Sequence, residues 1–248
     1  WGVIEAKLVQ ADATSAPASP QYGILPQFGN ASNNPREGSR LAAYSSGTAR
    51  RPIDPSYVNP NGSGYNPGTT VSYPTGFPKN SASCPTAGGG ANDSSGLWLK
   101  IRVPTNALSF KYRFRFFSAE YPEWVCTYFN DIFIALLYGS QNPYTATKSY
   151  NISFDSNNNP VSVNVGFFDI PGGPNVINHA DLIGTGMDGS CSGQSCGGAT
   201  NWLMSSAPVT PGETITMHFS IWDTGDHAWD STVLIDGYAV PEAVKFVF

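Results

Sequence analysis

Two segments concentrate the side chains able to do chemistry. SAEYPEWVCTYFNDIF, residues 118–133, carries Glu120, Glu123, Asn130 and Asp131, and WDTGDHAWDS, residues 222–231, carries Asp223, Asp226 and Asp230. Carboxylates and amides presented by loops are hard oxygen donors, the set that Ca²⁺ takes about six to eight at a time in irregular geometry. Gly225 would let the second loop turn tightly enough for backbone carbonyls to join. Singly, each Asp or Asn reads as a turn residue. As two clusters flanking core strands, these residues read as a metal site with Ca²⁺ as its ion.

Other signals carry less. Paired carboxylates are the core of glycoside hydrolysis, but Glu120 and Glu123 flank a Tyr-Pro pair and read better as metal ligands or loop charges. No catalytic residue is assigned, and the chain is not expected to be an enzyme. His179, His218 and His227 stand near no recognisable nucleophile, and His218 falls on the polar face of a strand, as a surface or hydrogen-bonded histidine. Gly184, Gly186 and Gly189 form a G-x-G-x-x-G without a βαβ context, hence a turn. Asp155, Asn157 and Asn159 imitate an EF-hand start, but Pro160 stands where Gly is required. Tyr121, Trp124, Tyr128 and Trp229 flank the acidic clusters and could stack on sugars or anchor a partner, with core packing as the competing role. Sequons begin at Asn30, Asn61, Asn92 and Asn151.

Cys84, Cys126, Cys191 and Cys196 make an even count in a Gly/Pro-rich, lysine-poor chain, which favours disulfides. Of the three connectivities we favour Cys191–Cys196, across the easily closed CSGQSC loop, with Cys84–Cys126. A zinc site is disfavoured because the spacing is wrong and no His lies beside a Cys.

These residues need a scaffold, and the periodicity names it. Leu97, Leu99, Ile101 and Val103 alternate with polar or amphipathic neighbours, as do Phe110 to Phe116, Val161 to Phe167, and Ile215 to Ile221, which predicts half-buried strands with one wet face. Ile132 to Tyr138 is apolar on both faces, as in a strand covered on each side. Residues 1–10, SRLAAYSS, Thr232 to Ile235 and Val244 to Phe248 supply further strands, and no helix is convincing. The prediction is an all-β, jelly-roll-like β-sandwich in a single domain: a terminal strand at 1–10, a long irregular, loop-rich insert at 11–95, and a strand-rich core at 96–248.

Composition agrees. Charged residues are 12% and aromatics 13% of 248 residues, with 26 Gly and 20 Pro, which suits a β-rich extracellular protein better than a helical bundle. A net charge of −5 without a Lys/Arg run argues against nucleic acid and anionic membranes as partners, and no stretch predicts a membrane span. A start at Trp1 reads as a processed or trimmed product.

The segments FFSAEYPEWV, FNDIFIALL, NISFDSNNNPVSVNV, GMDG and VTPGETITMHFSIWDTGDHAWDSTVLIDG, in this order and spacing, resemble the bacterial choice-of-anchor L family. The resemblance covers about Leu97 to Tyr238, and SRLAAYSSGTA weakly; the Pro/Asn-rich insert before Leu97 departs from it. It implies a β-sandwich module of an exported, cell-surface protein. Together these readings predict a calcium-stabilised extracellular structural or assembly protein that associates with itself or with other surface or matrix components. The alternative is an adhesion module binding carbohydrate or protein, and a secreted glycoside hydrolase comes third.

Overall fold

The structure, a computed structural model, describes residues 1–79, 84, 88–145, 147–154, 159–164, 180–188, 190, 191, 194, 195 and 197–239. Its strands are β1 (Gly2–Val9), β2 (Tyr22–Leu25), β3 (Leu41–Ser45), β4 (Thr70–Val71), β5 (Ala91–Arg102), β6 (Ser109–Ser118) and β7 (Ile132–Tyr138). They continue with β8 (Val161–Ser162), β9 (Ser190–Cys191), β10 (Gln194–Ser195), β11 (Gly198–Ala199), β12 (Leu203–Pro208), β13 (Thr214–Thr224) and β14 (Ser231–Ala239). Two short 3₁₀ turns, at Ser19–Gln21 and Ala31–Asn33, are the helical elements among the described residues.

Two antiparallel sheets pack as a sandwich that does not close into a barrel. The first runs β1-β5-β13-β7-β8, with β4 also on β5; the second runs β11-β6-β14-β3-β2, with β12 also on β6. Alternation explains the core between them. Tyr112, Phe114 and Phe116 of β6 meet Phe133, Ala135 and Leu137 of β7 and Met217, Phe219 and Ile221 of β13 in one buried cluster. Tyr112 stands edge-on to Phe219 at 4.9 Å, and Phe114 tilts on Phe133 at 5.2 Å. At Gly96 a Cβ would lie 2.1 Å from the Phe219 carbonyl oxygen, so only glycine lets β5 and β13 come this close.

The outer faces are covered as well. Ile132, Ile134, Leu136 and Trp222 lie outward from the first sheet under Ala11, Val71, Tyr73 and Phe77. On the second sheet, Leu41, Ala43, Phe117 and Leu234 lie under Phe28, Leu182 and Met187. This is why Ile132 to Tyr138 reads as apolar on both faces. Residues 11–95 thus combine long irregular runs with β2, β3, β4 and the first residues of β5, and they roof the first sheet.

Two residues on faces expected to be wet are dry. Arg115 on β6 is buried because its guanidinium finds partners: Nη2 to Asp181 Oδ2 at 2.9 Å, Nη1 to Asn33 Oδ1 at 2.5 Å and Nε to the Thr200 carbonyl at 2.8 Å. His218 on β13 is only 4% exposed beneath the roofing segments. Burial pushes its pKa down to about 4, against smaller opposing effects of the Gln10 backbone and Asp12. The unfolded chain therefore binds more protons below about pH 6.5, and stability is expected to fall by on the order of 3 kcal/mol as pH drops toward 4. Urea unfolding of wild type and His218→Gln across that range checks this; parallel curves would refute it.

The Cys84–Cys126 disulfide is present, with a Cα separation of 4.7 Å. The expected Cys191–Cys196 bond lies outside the described residues, as do Val165 to Phe167, Val244 to Phe248, His179, Gly189, Asp155 and Asn157. Gly184 and Gly186 take positive φ in a turn.

Candidate metal centre

Two loops cross between the sheets at one end of the sandwich. The first leaves β6 at Ser118 and enters β7 at Ile132; the second leaves β13 at Thr224 and enters β14 at Ser231. Their stems carry the carboxylates. Glu120 lies two residues past β6, Asp131 immediately before β7, Asp223 at the end of β13 and Asp230 immediately before β14. Each sheet thus contributes two.

Carboxylate oxygens of Glu120, Asp131 and Asp223 all lie within 4.8 Å of one another. Glu120, Asp131, Asp223 and Asp230 are 0–3% exposed. Glu120 Oε2 accepts from the Asp131 amide at 3.1 Å, and Ser46 Oγ reaches Asp131 Oδ2 at 3.4 Å. Beyond these contacts the cluster is short of donors. Asp131 Oδ1, both oxygens of Asp223, Asp230 Oδ2 and the Ser231 hydroxyl are buried without a well-formed hydrogen bond. No Lys or Arg pairs with any of the four carboxylates among the described residues.

Burial and mutual repulsion set the electrostatics. Burial pushes Asp131 up to about 8, although the nearby Ser231 and Asp223 side chains pull it back. Glu120 and Asp223 are held well above the carboxylate range by burial and then by Asp131, and Asp223 also by Glu120. Asp230 is raised by burial and then by Asp131. Four buried acids without a counter-cation must hold protons or a metal ion. The donors are all oxygen, which suits Ca²⁺ or Mg²⁺, and the near-complete burial favours Ca²⁺ because Mg²⁺ usually keeps several waters.

The remaining expected ligands fall outside this core. Glu123 sits exposed on the first loop, and Asn130 Oδ1 instead accepts from the Asn164 amide at 3.2 Å. Asp226 is half-buried at the rim, where Oδ1 accepts from the Ala228 amide at 3.3 Å. The aromatics pack mainly on the protein itself: Trp124 tilts on Trp229 at 6.4 Å, Tyr121 and Trp229 join core clusters, and Tyr128 is the one of the four left 47% exposed. Asn92 and Asn151 are buried and hydrogen-bonded, unsuited to carry glycans.

Sequence reasoning missed Ser46, Ser231 and Gly47. At Gly47 a Cβ would lie 1.9 Å from Asp230 Oδ2, so this backbone makes the room the carboxylate occupies. Gly47→Ala is expected to cost about 1–3 kcal/mol by overpacking, and much less in an Asp230→Ala background. Equal costs in the two backgrounds, measured by urea unfolding, would show that Asp230 is not what the methyl meets.

The disulfide ties the tip of the first loop, at Cys126, to Cys84. His227 Nδ1 lies 2.7 Å from Asp93 Oδ2 beside the second loop, and the amides of Trp229 and Asp230 donate to the carbonyls of Gly62 and Pro60. Both loops are therefore braced from the segment between residues 60 and 93.

Searches of curated proteins and of solved structures gave no match. The family model described as the Choice-of-anchor L domain matches residues 76–240, a span that contains all four buried carboxylates, both crossing loops and the disulfide. With two thirds of its length in that match, the chain belongs to the Choice-of-anchor L domain family.

Proposed function

We propose that this protein is a calcium-stabilised structural module, in which one end of the sandwich is closed by Ca²⁺ bound to Glu120, Asp131, Asp223 and Asp230. Membership of the family makes it a surface-associated module of an exported protein, and no helix among the described residues is long and apolar enough to cross a membrane. The observation that carries the calcium reading is the set of buried carboxylate oxygens with neither well-formed hydrogen bonds nor paired cations. The acids are too deeply buried to touch a substrate, which supports a structural role over hydrolysis. Calorimetric titration of chelator-treated protein with Ca²⁺ and with Mg²⁺ tests the proposal. Saturable binding of Ca²⁺, weaker binding of Mg²⁺ and loss of both in Asp131→Asn/Asp223→Asn are expected; absence of heat with either ion would end it.

A second reading, self-association, rests on β1. Among the described residues this strand pairs only with β5, and Val3 and Ile4 are 61% and 56% exposed. An open edge can take a strand from another copy. Glu5, Lys7 and the irregularity between Val3 and Glu5 blunt that edge. Deleting residues 1–10 and measuring molar mass in solution decides it: assembly lost with the fold intact supports strand addition, and a monomeric parent refutes it.

A further inference from the structure

The roof over the first sheet is incomplete. Between the segments at 11–13 and 73–75 it leaves a cavity of about 250 Å³, lined in part by β7 and β13, the strands whose ends carry Asp131 and Asp223. Of its lining residues, His218 and Leu136 are buried and taken as the floor, Asp12 and Tyr73 are half-buried, and Thr75 and Tyr138 are exposed and taken as the rim. Exposure grades from floor to rim, from 4% at His218 to 42% at Tyr138. This is a pocket with a mouth, and nothing in the structural role proposed above uses it.

We propose that this cavity binds a single saccharide ring, with the ligand's hydroxyls on His218 and Asp12 and its C–H face against Tyr138 or Tyr73. Size is the first argument. The volume lies below the roughly 300–1,000 Å³ of sites for drug-sized ligands, so one ring fits and a peptide or dinucleotide does not. Charge is the second. Buried His218 stays neutral at neutral pH while Asp12 brings a carboxylate, so the pocket offers nothing to draw in phosphate, sulfate or a carboxylate.

Unmet hydrogen bonding is the third argument. The Gln10 backbone acts on the His218 ring, but Nε2 is buried without a well-formed hydrogen bond, an arrangement that destabilises the fold unless a ligand pairs with it. Asp12 Oδ1 already accepts from the Thr14 amide at 3.0 Å and its hydroxyl at 2.8 Å, which orients the carboxylate and leaves Oδ2 as an acceptor. Both groups suit hydroxyl donors. The walls, finally, are rigid. Tyr73 donates to the Gly88 carbonyl at 3.1 Å and tilts on Trp222 at 5.8 Å, while Tyr138 lies against Tyr150 at 4.7 Å. Fixed aromatic faces lose little entropy when a sugar's apolar face docks on them.

The test uses the full chain with Ca²⁺ present and four probes: the methyl glycosides of glucose, galactose, mannose and N-acetylglucosamine. Amide NMR shifts of Ala13 and Thr75 are followed to about 50 mM, above the millimolar constants expected from so few contacts. At least one glycoside should give a saturable shift, weakened at least about tenfold in Tyr138→Ala and lost in Thr75→Trp, which fills the mouth. Both rim variants should stay folded, Tyr138→Ala losing at most a few degrees of melting temperature with its Tyr150 contact. The proposal is overturned if none of the four saturates, if affinity survives both variants, or if inorganic phosphate or methylammonium binds there while the glycosides do not.

Discussion

Chelating calcium at pH 8 is expected to lower the melting temperature by about 8–16 °C relative to protein in millimolar Ca²⁺. A ligand that binds only the folded state at about a thousand times its dissociation constant contributes about 4 kcal/mol, and for a chain of this size each kcal/mol moves the midpoint by about 2–4 °C. The pH dependence has a definite sign. Unfolded, the four acids titrate near about 4; in the folded, metal-free protein burial and repulsion raise them, Asp131 to about 8. Through these acids the folded form binds more protons than the unfolded chain, so their contribution to stability is greatest at low pH and is lost as pH rises toward the folded values.

Between about pH 6.5 and 8.5, above the range where His218 matters, chelated protein should therefore lose stability with rising pH. Calcium binding displaces those protons, so the gap between loaded and chelated protein should widen over the same interval. Asp223→Asn sharpens the test, because it removes a repelling charge from the empty site and a ligand from the filled one. It should raise the midpoint in chelator and lower it in calcium. Identical melting of wild type with and without calcium at pH 8, or the same sign for Asp223→Asn in both conditions, would refute the assignment.

The second large effect is the disulfide. Replacing Cys84 and Cys126 by serine should cost about 4 kcal/mol, the loop-closure entropy for a sequence separation of 42 residues. The double variant should also show a smaller stabilisation by calcium, since Cys126 lies on the loop whose stems hold Glu120 and Asp131. Urea unfolding without reductant measures the first quantity, and repeating it with calcium and with chelator measures the second. A loss under about 1 kcal/mol would mean that the unfolded chain is already compact in this region.

What could be read from the sequence follows from what burial does to a pattern. β5, β6 and β13 alternate cleanly because one face of each lines the inner core, and β7 reads as apolar throughout because both of its faces are covered. β2, β4, β11 and β12 were not legible: they are short or, like LMSSAP, break the apolar alternation with adjacent serines and a proline. Arg115 and His218 looked solvent-facing because alternation cannot see a second layer folded over a sheet from distant residues.

The acidic cluster was legible as a composition but not as a geometry. Glu120 and Glu123 are equivalent in type and neighbourhood, yet one is buried at a loop stem and the other exposed farther along the loop. The same contrast separates Asp223 and Asp230, at strand ends, from Asp226 in mid-loop. Proximity to a strand end was the available signal. Nothing comparable pointed to Gly47, whose role comes from a side chain 183 residues away in sequence.

The two crossing loops also determine how the domain would bear a load. β1 belongs to the first sheet and β14 to the second, so tension applied through these two strands pulls the layers past each other rather than peeling one sheet apart. The apolar core resists such sliding weakly, since its contacts are many, small and non-directional. Carboxylates drawn from both layers onto one ion would instead act as a rivet at one end of the seam, setting a calcium-dependent threshold for mechanical failure of the sandwich.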